Sequence, residues 1–275
     1  MVSRLFFLSV IILSTAITHT QGANVLARED RRVVYPADGE FAAHIGMVAQ
    51  VVHGTSLQRC SGMLVAPRVV LTAGHCITLT NGRFDAERTP LRFLAGLRDN
   101  NLPADTTARQ VVDARFGNQT VPGHLYDNDW GFLILEAGLP HVRYENLQYP
   151  PVRTIAENEF AEYQLEVVGF SGDRFNGTSA STHRDCTIVG RFARRGMKVD
   201  CDFNPGASGG PVIGRKNGQP TAIVGVITAH LLPQLANLLA SMRGVDNVPL
   251  ENWVNGAASF TEELRRLERV YTNWE

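Results

Sequence analysis

The stretch FNPGASGGPV, residues 203–212, sets one serine, Ser208, among Gly206, Ala207, Gly209 and Gly210. The residues after that serine decide the fold. A serine in the pattern G-x-S-x-G can sit on the strand-to-helix turn of an α/β-hydrolase, and then a helix comes directly after it and its histidine later in the chain. Here Pro211 and the strand-like run PVIG (211–214) come next, and strand and helix patterns do not alternate around them. The cluster also has a plain reading as a turn, because glycine supplies positive φ and proline fixes φ at about −65°. No residue within the stretch can take a proton from Ser208, so a catalytic reading needs a base and an orienting acid from elsewhere.

Working outward, short apolar runs recur between turn signals: HIGMVAQVV (44–52), GMLVAPRVVLTA (62–73), LRFLAG (91–96), WGFLILE (130–136), YQLEVVGF (163–170) and TAIVGVITA (221–229). Valine and isoleucine are frequent in them, and Gly, Asn or Pro bounds most. That pattern is all-β, a sandwich or a barrel built from many short antiparallel strands. No repeat of fixed period is visible. The proline-containing zone LPHVRYENLQYPPVR (139–153) divides the strand-rich region into comparable halves and reads as a connector. Two segments carry helical spacing. LLPQLANLLASMR (231–243) aligns Leu231, Leu235, Leu238 and Met242, with Gly244 just beyond. SFTEELRRLERVY (259–271) opens with Ser259 and Glu262 at capping-box spacing.

The chain has 275 residues, 44% hydrophobic and 19% charged, which is ordinary globular composition. The net charge of −1 provides no basic surface for a phosphate backbone, so nucleic acid is excluded as a partner. Arg4 precedes a 13-residue apolar core, Leu5 to Ile17, and small and polar residues continue to Ala23. This is the layout of a secretory leader, over residues 1–23; the core is short of the ~18–20 residues of a spanning helix. No later stretch is long and apolar enough to act as a membrane anchor. The mature protein is expected to be secreted or periplasmic. In an oxidising compartment the four cysteines, Cys60, Cys76, Cys186 and Cys201, favour disulfides over metal, and no C-x-x-C pair suggests zinc. Four cysteines allow three pairings. Two local pairs, 16 and 15 residues apart, could each close a loop whose cross-link contributes about 3 kcal/mol.

Of the eight histidines, His19 falls in the leader, and His44, His53, His124, His141 and His183 lie in unremarkable surroundings. His75 differs. In VVLTAGHC an apolar strand ends, small residues come after it, and the imidazole stands next to Cys76. The acid is sought at the mouth of a buried strand, where a carboxylate is shielded and aimed. Asp129 in YDNDWGFLIL meets that description; Asp127, two residues earlier, lies in a more polar turn.

Together CSGMLVAPRVVLTAGHC, DNDWGFLIL and NPGASGGPV, in that order, resemble the three signature blocks of the chymotrypsin/trypsin-like serine proteases. The resemblance spans roughly Val33 to Trp253, and CDFNPGASGG is most similar to the bacterial trypsin-like and glutamyl-endopeptidase branch. It implies two antiparallel six-stranded β-barrels with a C-terminal helix and the site between them. The chain would divide into a leader (1–23), a possible propeptide (24–32), an N-terminal barrel (33–138), the connector (139–153) and a C-terminal barrel with the terminal helix (154–275). It implies that His75 is the general base, that Asp129 orients it, that Ser208 is the nucleophile, and that the amides of Gly206 and Ser208 form the oxyanion hole. It further implies a Cys60–Cys76 disulfide, which leaves Cys186–Cys201. Substrate would be protein or peptide, with no cofactor, and the enzyme a monomer.

The chain departs from the animal-type members in one respect. They carry an acid immediately before the nucleophile, which pairs with a new N-terminal amine after proteolytic activation; here that position is Ala207. RRVVYPADG (31–39) nevertheless resembles an activation junction, with cleavage after Arg32. The loop around Gly206 is then expected to be held by its own turns and by the Cys186–Cys201 bridge. For substrate binding, Asp202 stands six residues before Ser208, where the family selects basic side chains. VITAH (226–230) resembles the opposite pocket wall, with Thr228 behind the catalytic acid and His230 at the pocket, where a histidine would favour acidic side chains. The rival from another class is an inactive protease homologue serving as a binding module. Asn118-Gln119-Thr120 and Asn176-Gly177-Thr178 are glycosylation sequons in a eukaryotic host.

Overall fold

A computed structural model of the protein describes residues 30–53, 55–77, 79–80, 83–96, 108–117, 128–138, 148–174, 177–192, 194–230 and 252–271. The leader, most of the connector, the helix expected over 231–243, and Asn118, Asn176 and Asp127 lie outside the described residues. The strands are β1 (Val33–Val34), β2 (Ile45–Val52), β3 (Thr55–Ala66), β4 (Val69–Thr72), β5 (Leu79–Thr80), β6 (Arg83–Phe84), β7 (Leu91–Ala95), β8 (Ala108–Phe116) and β9 (Gly131–Leu135). They continue with β10 (Gln164–Gly169), β11 (Ser181–Cys186), β12 (Ile188–Phe192), β13 (Gly196–Val199), β14 (Pro211–Lys216), β15 (Gln219–His230) and β16 (Asn252–Gly256), and end with helix α1 (Thr261–Tyr271).

Six strands close a barrel in the order β2-β3-β4-β9-β8-β7. One of its faces collects Val48, Leu64, Val70, Leu91, Phe93, Val111, Leu133 and Leu135 into a core. The other face places Met47, Met63, Leu71, Phe132 and Ile134 in a second core together with Val168, Ile213 and Ile223 of the other unit and Phe260, Leu264 and Leu267 at the C-terminal helix. Burial on both faces explains why β2, β4, β7 and β9 read as near-continuous apolar runs and not as strict alternation.

Strands β5 and β6 pair with each other, and the other eight form a sheet in the order β1-β11-β10-β14-β15-β16-β13-β12. The architecture is the expected trypsin-like all-β fold, with a refinement in the second unit. β11 pairs on one side with β10 and on the other with β1, so this sheet has β1 and β12 as its ends, and no ring closes through β11. The Cys186–Cys201 disulfide ties the end of β11 to the segment after β13. Glu166, buried in β10, is neutralised there by Arg184 at 2.8 Å and Arg215 at 2.7 Å and accepts from the Thr182 hydroxyl at 3.0 Å.

Hydrogen bonding crosses the expected partition at residue 33. Val33 and Val34 pair with Thr182 and Ser181 of the second sheet, and the Tyr35 amide donates to Ala180. Helix α1 conversely packs on the first barrel through Leu264 and Leu267. The capping box expected at Ser259 is not formed. Residues Ala257–Ser259 make a 3₁₀ turn, and the Ser259 hydroxyl faces the Gly256 carbonyl and the Asn255 side chain, so the helix starts at Thr261.

Candidate active site

His75 projects from a 3₁₀ turn, Gly74–Cys76, that ends strand β4. The small residues Ala73 and Gly74 let the chain turn there, and the Cys60–Cys76 disulfide ties the turn to β3. Asp129 enters from the start of β9, the neighbour of β4 in the ring. Its two carboxylate oxygens make different contacts. Oδ1 accepts the His75 backbone amide at 2.7 Å, and Oδ2 lies 2.8 Å from His75 Nδ1. A carboxylate only accepts, so the ring donates from Nδ1, and the neutral ring then has its acceptor lone pair on Nε2. Exposure divides the pair by role: the Asp129 side chain is 6% exposed and that of His75 45%. The acid is shielded while the imidazole faces outward.

Ser208 arrives from the other unit, at the turn before β14. Its carbonyl accepts the Ser61 amide at 2.7 Å and lies 3.7 Å from the Cys76 sulfur. The same sulfur and a ring nitrogen of His75 lie within 4.8 Å of each other, so the structure gathers Ser208, His75 and Asp129 in one place. The Ser208 hydroxyl is 3.5 Å from the Thr228 carbonyl.

The glycines around Ser208 have separate causes. Gly209 has φ +84°, and a Cβ there would fall 2.2 Å from both the Ser61 carbonyl and the Thr72 hydroxyl, so the loop is pressed against the first barrel. Gly206 has φ +98°, a left-handed turn that L residues rarely adopt. The amides of Ala207, Gly209 and Gly210 donate to Asn204, Ile227 and Ala207 respectively. The amides of Gly206 and Ser208 have no acceptor among the described residues.

Two residues that sequence reasoning passed over hold this loop. The Ser61 hydroxyl donates to Gly206 O at 2.8 Å and accepts the Phe170 amide at 2.9 Å, and so stitches the first barrel to β10 and the loop. Gly172 N donates to Pro205 O at 2.8 Å. The only signal for Ser61 in the sequence is its place beside Cys60.

The expected substrate-binding residues fare differently. Asp202 is not placed as a pocket acid: its side chain is 0% exposed, its Oδ2 lies 3.3 Å from Arg31 Nε, and its amide donates to His183 Nδ1 at 2.7 Å. The buried carboxylate is engaged by the amide and guanidinium of Arg31, in the segment before β1. Burial pushes the His183 ring below its ordinary range, against the opposing pull of Asp202. Thr228 is buried on β15 and donates to Trp253 O at 3.1 Å. The backbone of His230 pairs with Asn252, and its side chain lies outside the described residues. In the groupings Cys60–His75–Cys76 and Cys186–Asp200–Cys201, which cluster possible metal ligands, the two sulfurs are joined as disulfides and offer no thiolate.

Comparison with known proteins agrees with this fold. No curated protein sequence matches the chain significantly. Among solved structures, a Glu endopeptidase in complex with MPD superposes with a TM-score of 0.63 at 18% identity, covering 89% of this chain and 100% of its own. A thermostable serine protease from an extremophilic microorganism superposes with a TM-score of 0.60 at 17% identity, covering 84% and 98%. At such identities these likenesses concern the fold. The family profile described as trypsin-like peptidase domain matches residues 60–226, more than half of the chain and all three sequence blocks. By that match the chain belongs to the trypsin-like peptidase family and is a serine-type endopeptidase.

Proposed function

We propose that the protein is an exported endopeptidase that cleaves peptide bonds through an acyl-enzyme formed on Ser208. The observation that carries this is the double grip of Asp129 on His75, on both its amide and its ring Nδ1. That grip fixes ring orientation and tautomer together, the two properties a general base needs. Ser208 Oγ attacks the scissile carbonyl as its proton passes to His75 Nε2. The oxyanion is received by the amides of Gly206 and Ser208, each donor lowering the barrier by about 2.7–4 kcal/mol. His75 then protonates the leaving amine, and a water deprotonated by the same nitrogen releases the acid.

The buried position of Asp202 speaks against selection of basic side chains through that residue. Export is supported by the leader-like start and by two disulfides; N-terminal sequencing of protein recovered from the medium or periplasm should find it trimmed near residue 23. The catalytic test is Ser208→Ala. It should lower kcat on a peptide by on the order of 10⁶ and abolish labelling by a fluorophosphonate, with the melting temperature retained. Wild-type protein that neither labels nor cleaves a peptide library would identify an inactive binding homologue.

A further inference from the structure

We propose that Arg32, in a chain left uncut after it, is a positioning residue for the oxyanion loop, acting through Asp173 and its neighbour Gly172 on the peptide that carries the Gly206 amide. The proposal rests on the catalytic roles given above for Ser208 and Gly206.

The Arg32 side chain is 1% exposed, although it stands just before the first strand. Its guanidinium forks onto two carboxylates. Nη1 and Nη2 donate to Asp173 at 2.9 and 2.5 Å, and Nε and Nη2 donate to Asp30 at 2.9 and 2.8 Å. Paired forks of this kind fix direction as well as charge. Asp173 also accepts the Asn204 side-chain amide at 2.7 Å, at the root of the loop. Burial alone would push the Asp173 carboxyl up, but hydrogen bonds and charge from Arg32, with help from Asn204, hold it below its ordinary value.

Next to Asp173, the Gly172 amide donates to Pro205 O at 2.8 Å. The Pro205–Gly206 peptide is trans, like every described peptide in the chain. In a trans peptide the carbonyl and the amide point in opposite directions on one plane. Holding Pro205 O therefore aims Gly206 N–H. Gly206, with φ +98°, has no side chain to oppose a flip of that plane, so the hold must come from outside the loop.

The same contacts bear on the RR-VV junction. Arg32 O accepts from Arg174 Nη2, its side chain is enclosed, and Val33 is already paired in β1. A protease needs such a bond extended and exposed. Ala207, where animal-type members carry the acid that receives a new amine, packs on Gly169: a Cβ on that glycine would come within 2.8 Å of Ala207 Cα. An internal guanidinium thus occupies the role that a freed ammonium has in those members, and cleavage after Arg32 would remove the support.

The test uses the full chain and three changes. Arg32→Ala should lower kcat by about 10²–10³, the effect of losing one oxyanion donor, with KM within about threefold of wild type. Millimolar guanidinium should restore part of that kcat. Arg32→Lys keeps the charge but loses the fork and should lose about tenfold in kcat. A chain beginning at Val33 should be slower than the intact one. Amide exchange across 203–210 should accelerate in all three. Wild-type kcat in Arg32→Lys, or a Val33 form faster than the intact chain, would overturn the proposal. If wild type itself has no peptidase activity, the catalytic reading fails and the exchange measurement decides alone: unchanged protection in Arg32→Lys and the Val33 form would then overturn it.

Discussion

His75 and Asp129 stand just beyond the ends of two adjacent strands of a closed ring, β4 and β9, and one carboxylate and one disulfide hold the imidazole there. Ser208 stands on a loop with glycines on both sides, and that loop is held by groups from distant parts of the chain. Ser61 reaches it from β3, Gly172 from the turn after β10, and Ile227 from β15. The first arrangement is local and stiff. The second is assembled: its own turns use the amides of Ala207 and Gly210, and the rest of its support comes from other elements. Changes to the His75–Asp129 pair should therefore act on chemistry alone, whereas changes around the loop should act on chemistry and stability together.

The largest effect breaks the barrel side. Asp129→Asn keeps the volume and one acceptor oxygen but can present an amide where His75 needs an acceptor. The ring then takes the wrong tautomer, and kcat should fall by about 10⁴ with little change in melting temperature. Steady-state kinetics with a thermal melt check this. A fall of less than tenfold would show that the ring is aimed by something other than Asp129.

Gly209→Ala should break the loop side, in stability as well as in rate. Its Cβ would meet Ser61 O and Thr72 Oγ1 at 2.2 Å, and φ is +84°. Overpacking against backbone plus a left-handed non-glycine costs about 2–5 kcal/mol. Urea denaturation of the oxidised protein should show that loss as a lower midpoint at unchanged slope. An unchanged midpoint would mean that the two units do not press together at this point.

The same contrast governs what could be read from sequence. Barrel strands β2, β7 and β9 announce themselves because both faces are apolar, and the runs at 44–52, 91–96 and 130–136 coincide with them to within about a residue. β8, β11 and β12 carry no such run. ARQVVDARF and STHRDC are polar, and β11 is satisfied by ion pairs such as Arg184 with Glu166 of its neighbour β10, a pairing that hydrophobic pattern cannot register. His75, Asp129 and Ser208 could be singled out as candidates because each lies in a distinctive local block. The supports of the loop were not, since Arg32 and Asp173 stand 141 positions apart. Asp202 shows the other side of this: a position six residues before the serine suggests a pocket, and the fold adds the contacts with Arg31 and His183 that no local pattern announces.

A smaller effect separates acid loss of structure from acid loss of catalysis on the barrel side. His44, before β2, is buried against Phe41 and Tyr149 with ring centroids 6.1 and 5.6 Å away. Burial pushes its pKa down to about 4. A folded pKa below the unfolded one means that the unfolded chain binds the proton first. The contribution of neutral His44 is therefore complete above the unfolded value of about 6.5 and is lost as pH falls from there toward 4, by about 3 kcal/mol in all. His44→Leu should flatten the fall in melting temperature across that window and leave kcat at pH 8 unaltered. If the fall persists in His44→Leu, this ring is not its source.

Ser61→Ala gives the smallest change and sharpens the comparison most, because Ser61 belongs to the barrel and acts on the loop. The substitution removes one oxygen and opens no large cavity. It leaves Gly206 O without that donor and the Phe170 amide without its acceptor, while the Ser61 backbone bond to Ser208 O remains. Leaving a buried partner unsatisfied costs about 1–3 kcal/mol. If the two units were independently rigid, that loss would appear as stability alone and kcat would stand. With the loop held from outside, part of the loss is spent on the Gly206 peptide. kcat should fall about tenfold at unchanged KM, and Ser61→Thr, which retains the hydroxyl, should recover most of it. A Ser61→Ala enzyme with full kcat and a lowered melting temperature would show that the barrel supports the fold here and not the oxyanion loop.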